Sequence, residues 1–489
     1  MIRFDNTYAR LPERFYARVA PTPVARPRVV KVNHALAELL DADVEFLESF
    51  AGAQALGGNV VLEGAEPLAQ AYAGHQFGHF VPRLGDGRAV LLGEVVGTDG
   101  RRRDVQLKGA GRTPFSRRGD GRAALGPVLR EYVVSEAMTA LGLPATRALA
   151  VVTTGEPVVR DGLLPGGVLA RVAASHLRIG TFQFFAHTSD QEALRLLVTY
   201  ALERHYPGAT GTGHDAVALL EAVSEAQASL VARWLGVGFV HGVMNTDNLT
   251  ISGETLDFGP CAFLDEYHPE KTFSSIDEGG RYAFGNQPRI ALWNLARLAE
   301  ALLPLVADDA DTAIRLATER LDRFESHFER AYGAVLRAKL GLLEPEEQDA
   351  VLFEGLLTRL ATAGVDYTLF FRRLATATDA AGESGVTSLF ERDQAPVRDW
   401  LAAWRQRLAR EPDAAERRKA LMQRANPALI PRNHRVEALI QAAVTHDDFA
   451  PFEALVSALA TPYDDRPEHA HFAEPPRPEE RVRQTFCGT

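Results

Sequence analysis

Residues 241–260 read His241-Gly-Val-Met-Asn-Thr-Asp247-Asn248-Leu-Thr-Ile-Ser-Gly-Glu-Thr-Leu-Asp257-Phe-Gly-Pro260. An apolar entry, Val237 to Val240, leads into a polar loop. A short β-prone segment, Leu249 to Ile251, then turns at Ser252-Gly253 and returns into Asp-Phe-Gly. Such a loop and hairpin place an amide and a carboxylate, Asn248 and Asp257, where oxygen ligands can meet. Hard divalent cations bridging phosphates require that chemistry.

The layout is that of a kinase catalytic loop and its metal-binding hairpin, with Asn248 and Asp257 in the two metal-holding places. One position departs from it. The kinase general base stands five residues before the metal-binding Asn, and here that residue is Val243, which can neither accept a proton nor orient a hydroxyl. The nearest carboxylate is Asp247, adjacent to Asn248. The site therefore reads as able to hold a metal–nucleotide complex but wired differently from a phosphotransferase. The alternative is a polar turn in an unrelated α/β protein.

The whole chain sets outer bounds. Its 489 residues allow a two-lobed fold plus a helical extension, and a 46% hydrophobic fraction with 24% charge is ordinary for a globular protein. A net charge of -11 argues against an electrostatic nucleic-acid binder. The first residues are polar and no run approaches a membrane span, so a cytoplasmic protein without membrane attachment is expected. Two cysteines, Cys261 and Cys487, exclude a disulfide framework and a cysteine-based zinc site.

Upstream, residues 1–80 form a Pro-punctuated lead-in with one short helix, Asn33 to Leu40. It contains His75 and His79, which with Gly74 and Gly78 nearby read as packing residues rather than helical metal ligands. Arg88 to Gly97 and Arg101 to Lys108 are strands joined at Asp99-Gly100, a strong hairpin signal. Gly85-Asp-Gly87-Arg88 could bring backbone N–H groups and a guanidinium to phosphate, or be a plain turn. Lys108 ends its strand, and a helix from Pro127 to Leu141 puts Glu131 where it can hold the Lys head, with Glu136 as competitor. Arg101 to Arg103 are expected to coat a solvated strand edge. Strands at Ala148 to Thr153 and Gly167 to Ala173 follow, with Arg171 inside the second and Arg178 just after it. If buried, Arg171 must face a carboxylate or a bound anion.

Ser189-Asp-Gln-Glu192 predicts a capping box opening a helix to Arg204, and Ala216 to Leu235 a second helix. Beyond Pro288, apolar spacing predicts helices at Ile290 to Leu303, Asp311 to Leu340 and Glu346 to Thr376, with Trp293, Phe324, Phe328 and Tyr332 as core. The Pro- and charge-rich end after Pro462 reads as poorly packed.

Ala73-Gly-His-Gln-Phe-Gly-His79, Leu107-Lys-Gly-Ala-Gly-Arg-Thr-Pro-Phe-Ser-Arg117, His241 to Asn248 and Asp257-Phe-Gly-Pro260 together resemble the selenoprotein O family of protein adenylyltransferases. The resemblance is dense over residues 70–300. It implies an α+β, protein-kinase-like two-lobed fold: lead-in 1–80, N-lobe 81–174, C-lobe 175–340, helical extension 341–461 and a flexible tail 462–489. It implies transfer of AMP from ATP, bound in inverted orientation, to Ser, Thr or Tyr hydroxyls of proteins. Carried over by position, Asp247 becomes the proton acceptor, and Asn248 with Asp257 become the ligands of Mg2+ or Mn2+. Gly85, Gly87, Arg88, Lys108, Asp120, Gly121, Arg171 and Arg178 become nucleotide contacts alongside Asp257. Members often carry a selenocysteine or cysteine near the C-terminus, which Cys487 matches; Cys261 is the one candidate partner for it. A nucleotide-binding scaffold without activity, or a phosphotransferase with a displaced base, remains open, as do UTP against ATP and the oligomeric state.

Overall fold

Gly100, with φ +75°, closes the turn between strands β6 and β7 of a mixed α+β structure, a computed structural model describing residues 2–160, 162–210, 214–378, 382–411 and 415–486. The strands in chain order are β1 (Tyr16–Arg18), β2 (Arg28–Val32), β3 (Leu68–Gln70), β4 (Gly74–Gln76), β5 (His79–Val81), β6 (Ala89–Val96), β7 (Arg102–Lys108), β8 (Ala123–Ala124), β9 (Arg147–Val159) and β10 (Leu163–Ala173). Eight of them form one antiparallel sheet in the order β1-β3-β6-β7-β10-β9-β2, with β8 on β10, while β4 and β5 make a separate hairpin. The lead-in thus supplies three strands to the sheet.

Strand β7 lies between β6 and β10, so Arg101 to Arg103 do not coat an edge as expected. They stand at the hairpin end of an interior strand, where Arg102 reaches Asp5 at 2.6 Å and Arg103 reaches Asp99 at 2.7 Å. β9 and β10 extend well beyond the expected segments into a long hairpin.

Three short helices, α1 (His34–Leu39), α2 (Val44–Glu48) and α3 (Phe50–Leu56), cover one sheet face. Leu36, Leu47 and Leu56 pack there on Val90, Val105 and Val168. The opposite face carries α4 (Leu125–Ala140), which begins two residues earlier than Pro127 predicts and is buried nearly all round. Pro127 costs nothing there because its missing N–H falls in the first turn, where no intrahelical partner exists. Gly142, at φ +78°, stops the chain just beyond the helix.

The second half is helical: α5 (Ile179–His187), α6 (Gln191–His205), α7 (Asp215–Val237), α8 (Gln287–Val306), α9 (Ala310–Leu321), α10 (Arg323–Leu340), α11 (Asp349–Ala363), α12 (Tyr367–Leu374), α13 (Glu383–Thr387), α14 (Ala395–Leu408), α15 (Ala415–Ala425), α16 (Asn433–His446) and α17 (Ala450–Leu459). Asp190 rather than Ser189 caps α6, accepting from the Ala193 N–H at 3.0 Å. The single helix expected over 311–340 breaks at Asp322. The one expected over 346–376 breaks at Gly364, whose φ of +62° ends α11 before Asp366 caps α12. Continuous apolar spacing concealed both breaks: α11 and α12 bury faces in one core, and Phe324 of α10 joins Ala313 and Ala317 of α9 before Leu336 and Leu340 turn to the core of α11 and α12. Phe324 is buried there, Phe328 and Tyr332 partly so. Trp293 is only half-buried, against expectation.

Val436, Leu439, Phe452 and Leu455 of α16 and α17 pack on the far side of α4, so the C-terminal helices hold the helix that carries Glu131. The chain's end is not loose either. Thr485 is buried, donates its N–H to Phe273 O at 2.7 Å, accepts from Ser275 N at 3.0 Å and donates its hydroxyl to Pro260 O at 2.5 Å. Composition predicted poor packing, and residues 463–484 are exposed or half-buried, with Thr485 then buried against loop backbone. Cys487 lies outside the described residues. Among those described, no helix is long and apolar enough to cross a membrane.

Candidate active site

Four elements converge on Asp257. Lys108, at the end of β7, donates to Glu131 Oε2 at 2.6 Å and to Asp257 Oδ1 at 2.7 Å. Arg171 of β10 lies opposite Gln106 in the β7 register, donates to its Oε1 at 2.6 Å, and from Nη1 reaches Glu131 Oε1 at 3.0 Å and Asp257 Oδ1 at 2.7 Å. Arg178, just before α5, donates to Asp257 Oδ2 at 3.1 Å and to the Asp247 carbonyl at 2.6 Å, with its guanidinium 4.6 Å from the Tyr72 ring centre. Burial alone would raise the Asp257 carboxyl, but the charges of Lys108, Arg171 and Arg178 outweigh it and hold it well below the usual range. Three cations thus share one carboxylate and Glu131. Arg171 has the carboxylate partner its burial demands, in a place where phosphate oxygens could take over part of that role.

The loop before Asp257 is held by its own histidine. His241 Nε2 donates to Leu256 O at 3.0 Å and its Nδ1 accepts from Val243 N at 3.3 Å, a neutral tautomer that burial also favours. Asn248 donates its amide to Val243 O at 3.1 Å, which leaves its Oδ1 as the acceptor end of the side chain. Val243 therefore serves through its backbone only. Asp247 is buried, its Oδ2 accepts from Gln76 at 3.3 Å, and its Oδ1 has no hydrogen-bond partner. Burial pushes its carboxyl up to about 6, with the Arg178 charge pulling the other way. A carboxylate that titrates near neutrality with one unused oxygen is equipped to take a proton.

The β4–β5 hairpin clamps this loop. His75 N donates to Thr246 Oγ1 at 2.6 Å and Phe77 N to Asn245 Oδ1 at 3.0 Å. His75 is packed and bonded to Gln183 at 2.8 Å, as the packing reading expects, whereas His79 is exposed, against it. Gly74 has no room for a side chain, since a Cβ there would stand 2.6 Å from Asp247 Oδ1. Gly74→Ala should displace the carboxylate and lower kcat roughly 10²-fold, the scale of a 1 Å misplacement of a catalytic group, with KM for nucleotide little changed. Steady-state kinetics checks this; an unchanged kcat would mean that the position of Asp247 does not matter.

Not every candidate enters the cluster. Gly85 (φ +70°) and Gly87 are pressed against Phe115 and Ser116 of the loop after β7, so their lack of a side chain serves packing here. Asp86 between them is the residue that faces the cluster, 3.7 Å from Arg178 Nη2 and accepting from Gln106 at 3.2 Å. Sequence reading missed it, together with Tyr72 and Gln76. The flanking glycines were the signal, because they bend the chain so that Asp86 turns inward. Arg88 is half-buried directly before Ala89, which pairs with Lys108. Asp120 is exposed and bound to Arg160 at 2.9 Å, and Gly121 O accepts from Gly111 N at 3.0 Å; neither bonds to the cluster residues.

A family model described as Protein adenylyltransferase SelO matches residues 1–460. The chain belongs to the SelO family. Relatives named Protein nucleotidyltransferase YdiU from Bradyrhizobium sp. (strain ORS 278) and Methylorubrum populi are each 60% identical, over 486 and 493 residues and 99% of both chains. One from Rhizobium meliloti is 59% identical over 488 residues, covering 100% of this chain and 99% of its own. The SelO member described here is a nucleotidyltransferase, and its family implies a nucleotide substrate, protein targets and a divalent metal. The residues suit such a metal. Asn248 and Asp257 offer hard oxygen donors, and beside them stands the unpartnered Asp247 Oδ1. Among the described residues no group of three or more His, Cys, Asp or Glu is placed to hold an ion alone. That is the donor set expected where phosphate and water complete the shell.

Proposed function

We propose that this nucleotidyltransferase moves AMP from ATP to Ser, Thr or Tyr hydroxyls of protein substrates and releases pyrophosphate, on a kinase-like scaffold that receives the triphosphate terminal end first. The convergence of Lys108, Arg171 and Arg178 deep in the site, with Val243 in the kinase base position, carries this reading. Three cations at the inner end suit the β- and γ-phosphates better than one lysine would. In this reading the lobes are residues 81–174 and 175–340, with 341–461 as a helical extension and 462–489 as a C-terminal tail.

In this reading Asn248 Oδ1 and Asp257 hold Mg2+ or Mn2+, which when bound neutralises phosphate charge. Asp247 accepts the proton of the attacking hydroxyl. The new bond forms from that oxygen to the α-phosphorus as the bond to the bridging α–β oxygen breaks. Arg171 and Arg178 stabilise the charge gathering on the departing pyrophosphate. Arg88, Gly85, Gly87, Asp120 and Gly121 belong to the outer nucleotide contacts, with Glu131 orienting Lys108. Incubation of protein substrate with ATP labelled with ³²P at the α or the γ position tests the assignment. Label is expected from the α position only; label from the γ position would make the enzyme a phosphotransferase.

A further inference from the structure

Outward from Asp247, the β4–β5 hairpin continues into a surface that none of the chemistry above uses. The ring of His75, next to the Gln76 that binds Asp247, lies 4.9 Å from Phe80 and meets the indole of Trp293 edge-on at 5.4 Å. Phe80 is 37% exposed and His79 is exposed beside it. Trp293, on α8, is flanked by two guanidinium groups, Arg281 at 4.6 Å and Arg297 at 5.1 Å from its ring centre. A hairpin, a helix and the segment after the Asp257 loop thus build one cationic–aromatic platform beside the catalytic carboxylate.

The charges on it are under-used. Arg281 has no carboxylate within ion-pair range among the described residues, and its Nε and Nη2 are buried without hydrogen-bond partners. Asp277, four residues before it, is instead engaged by the backbone N–H groups of Arg281 at 2.9 Å and Tyr282 at 2.8 Å, and Glu278 is exposed. Arg297 gives one nitrogen to Glu300 at 2.6 Å, and its Nε also lacks a partner. A structural arginine normally fills its donors. Those nitrogens are closed off from solvent, so a ligand would be met by the remaining guanidinium nitrogens of Arg281 and Arg297 beside the Trp293 ring, and carboxylate is the anion whose geometry a guanidinium matches. Gly78, at φ +87°, makes the tight hairpin turn that brings this strand pair beside Arg281.

We infer that this platform docks the protein substrate through acidic side chains lying a few residues from the target hydroxyl. The inference rests on protein being the acceptor and on Asp247 marking where its hydroxyl sits. An extended peptide advances about 3.3 Å per residue, so a hydroxyl at Asp247 puts near neighbours in its chain over Trp293 and the two arginines. The rest of the molecule opposes such a ligand, since a net charge of -11 repels acidic peptides in general. A preference for them must therefore be local.

Short fluorescein-labelled peptides with a central serine, flanked by glutamates or by glutamines, test this by anisotropy on the intact protein, with the acceptor site read by binding rather than by turnover. The acidic peptide should bind about tenfold more tightly than the glutamine peptide, and Arg281→Gln and Arg297→Gln should each remove most of that difference. Arg281→Glu should favour a lysine-flanked peptide. Arg297→Gln, at a half-exposed helix position, keeps the test valid where Arg281 variants fold poorly. Equal binding of acidic and neutral peptides by the unaltered protein overturns the inference, as does an acidic preference that survives both glutamine variants. The same peptides incubated with α-labelled ATP report separately on the proposed transfer: labelling without acidic preference leaves AMP transfer standing and removes the docking site.

Discussion

Asp257→Asn should lower transfer by more than about 10³-fold, the largest loss expected of any single change in the site. Asn is the informative replacement because Asp257 sits at φ +63°, a left-handed conformation that Asn tolerates and Ala does not. The amide keeps the shape but removes the charge that Lys108, Arg171 and Arg178 share. Leaving buried cations under-neutralised costs about 3 kcal/mol or more of stability, so the variant should also melt earlier. The same excess of positive charge predicts a distinguishing response. ATP in the presence of EDTA should raise the melting temperature of the variant more than that of the unaltered protein, because triphosphate replaces the missing carboxylate among the three cations. With metal present, nucleotide affinity should fall, since the charged one of the two proposed donors becomes a neutral amide. Transfer above a tenth of the normal rate in Asp257→Asn would remove the residue from the essential set.

The parts of this site set by short-range chemistry were legible from residues alone. Lys108 closes a strand whose hairpin turn is explicit, and Glu131 lies one turn into a helix whose proline start and glycine stop are explicit, so their 2.6 Å contact could be expected. Loop spacing singled out Asp257, on which Lys108, Arg171 and Arg178 converge. What escaped depends on three-dimensional placement. Arg171 was visible as a buried charge, but only the register that sets it opposite Gln106 aims it at Asp257. Asp86 looked like a turn residue because burial against Gln106 and Arg178 is decided by a loop 30 residues further on, through Phe115. The helical half failed differently. Asp322 and Gly364 interrupt segments whose apolar period runs on unchanged, because the period reports the buried face and not backbone continuity. At the C-terminus, composition described the average of a Pro-rich segment, while its attachment is made by single contacts such as Arg432 with Ala473 O, Arg435 with His471 O and Thr485 with Pro260 O.

Asp247→Asn should lower kcat by roughly 10²–10⁴-fold, the range for loss of a general base, with KM for ATP changed only a few-fold. The expected split follows from how the residue is held. Arg178 binds the backbone carbonyl of Asp247 and not its side chain, and the Gln76 amide can turn to meet an Asn amide as it met the carboxylate. The cluster of Lys108, Arg171 and Arg178 around Asp257 therefore survives the change. Stability should survive it as well, because burial already disfavours the charge on Asp247 and a neutral isostere relieves that cost. A fall in kcat without loss of nucleotide affinity or melting temperature separates a proton acceptor from a structural carboxylate, whose removal would disturb both. Asp247→Glu supplies a second check, since the longer acid has Gly74 against it, where even an added methyl would clash with the existing side chain; it should rescue little. Full activity in Asp247→Asn would leave the attacking hydroxyl without any protein base in this loop, since Val243 occupies the only other position from which one could act.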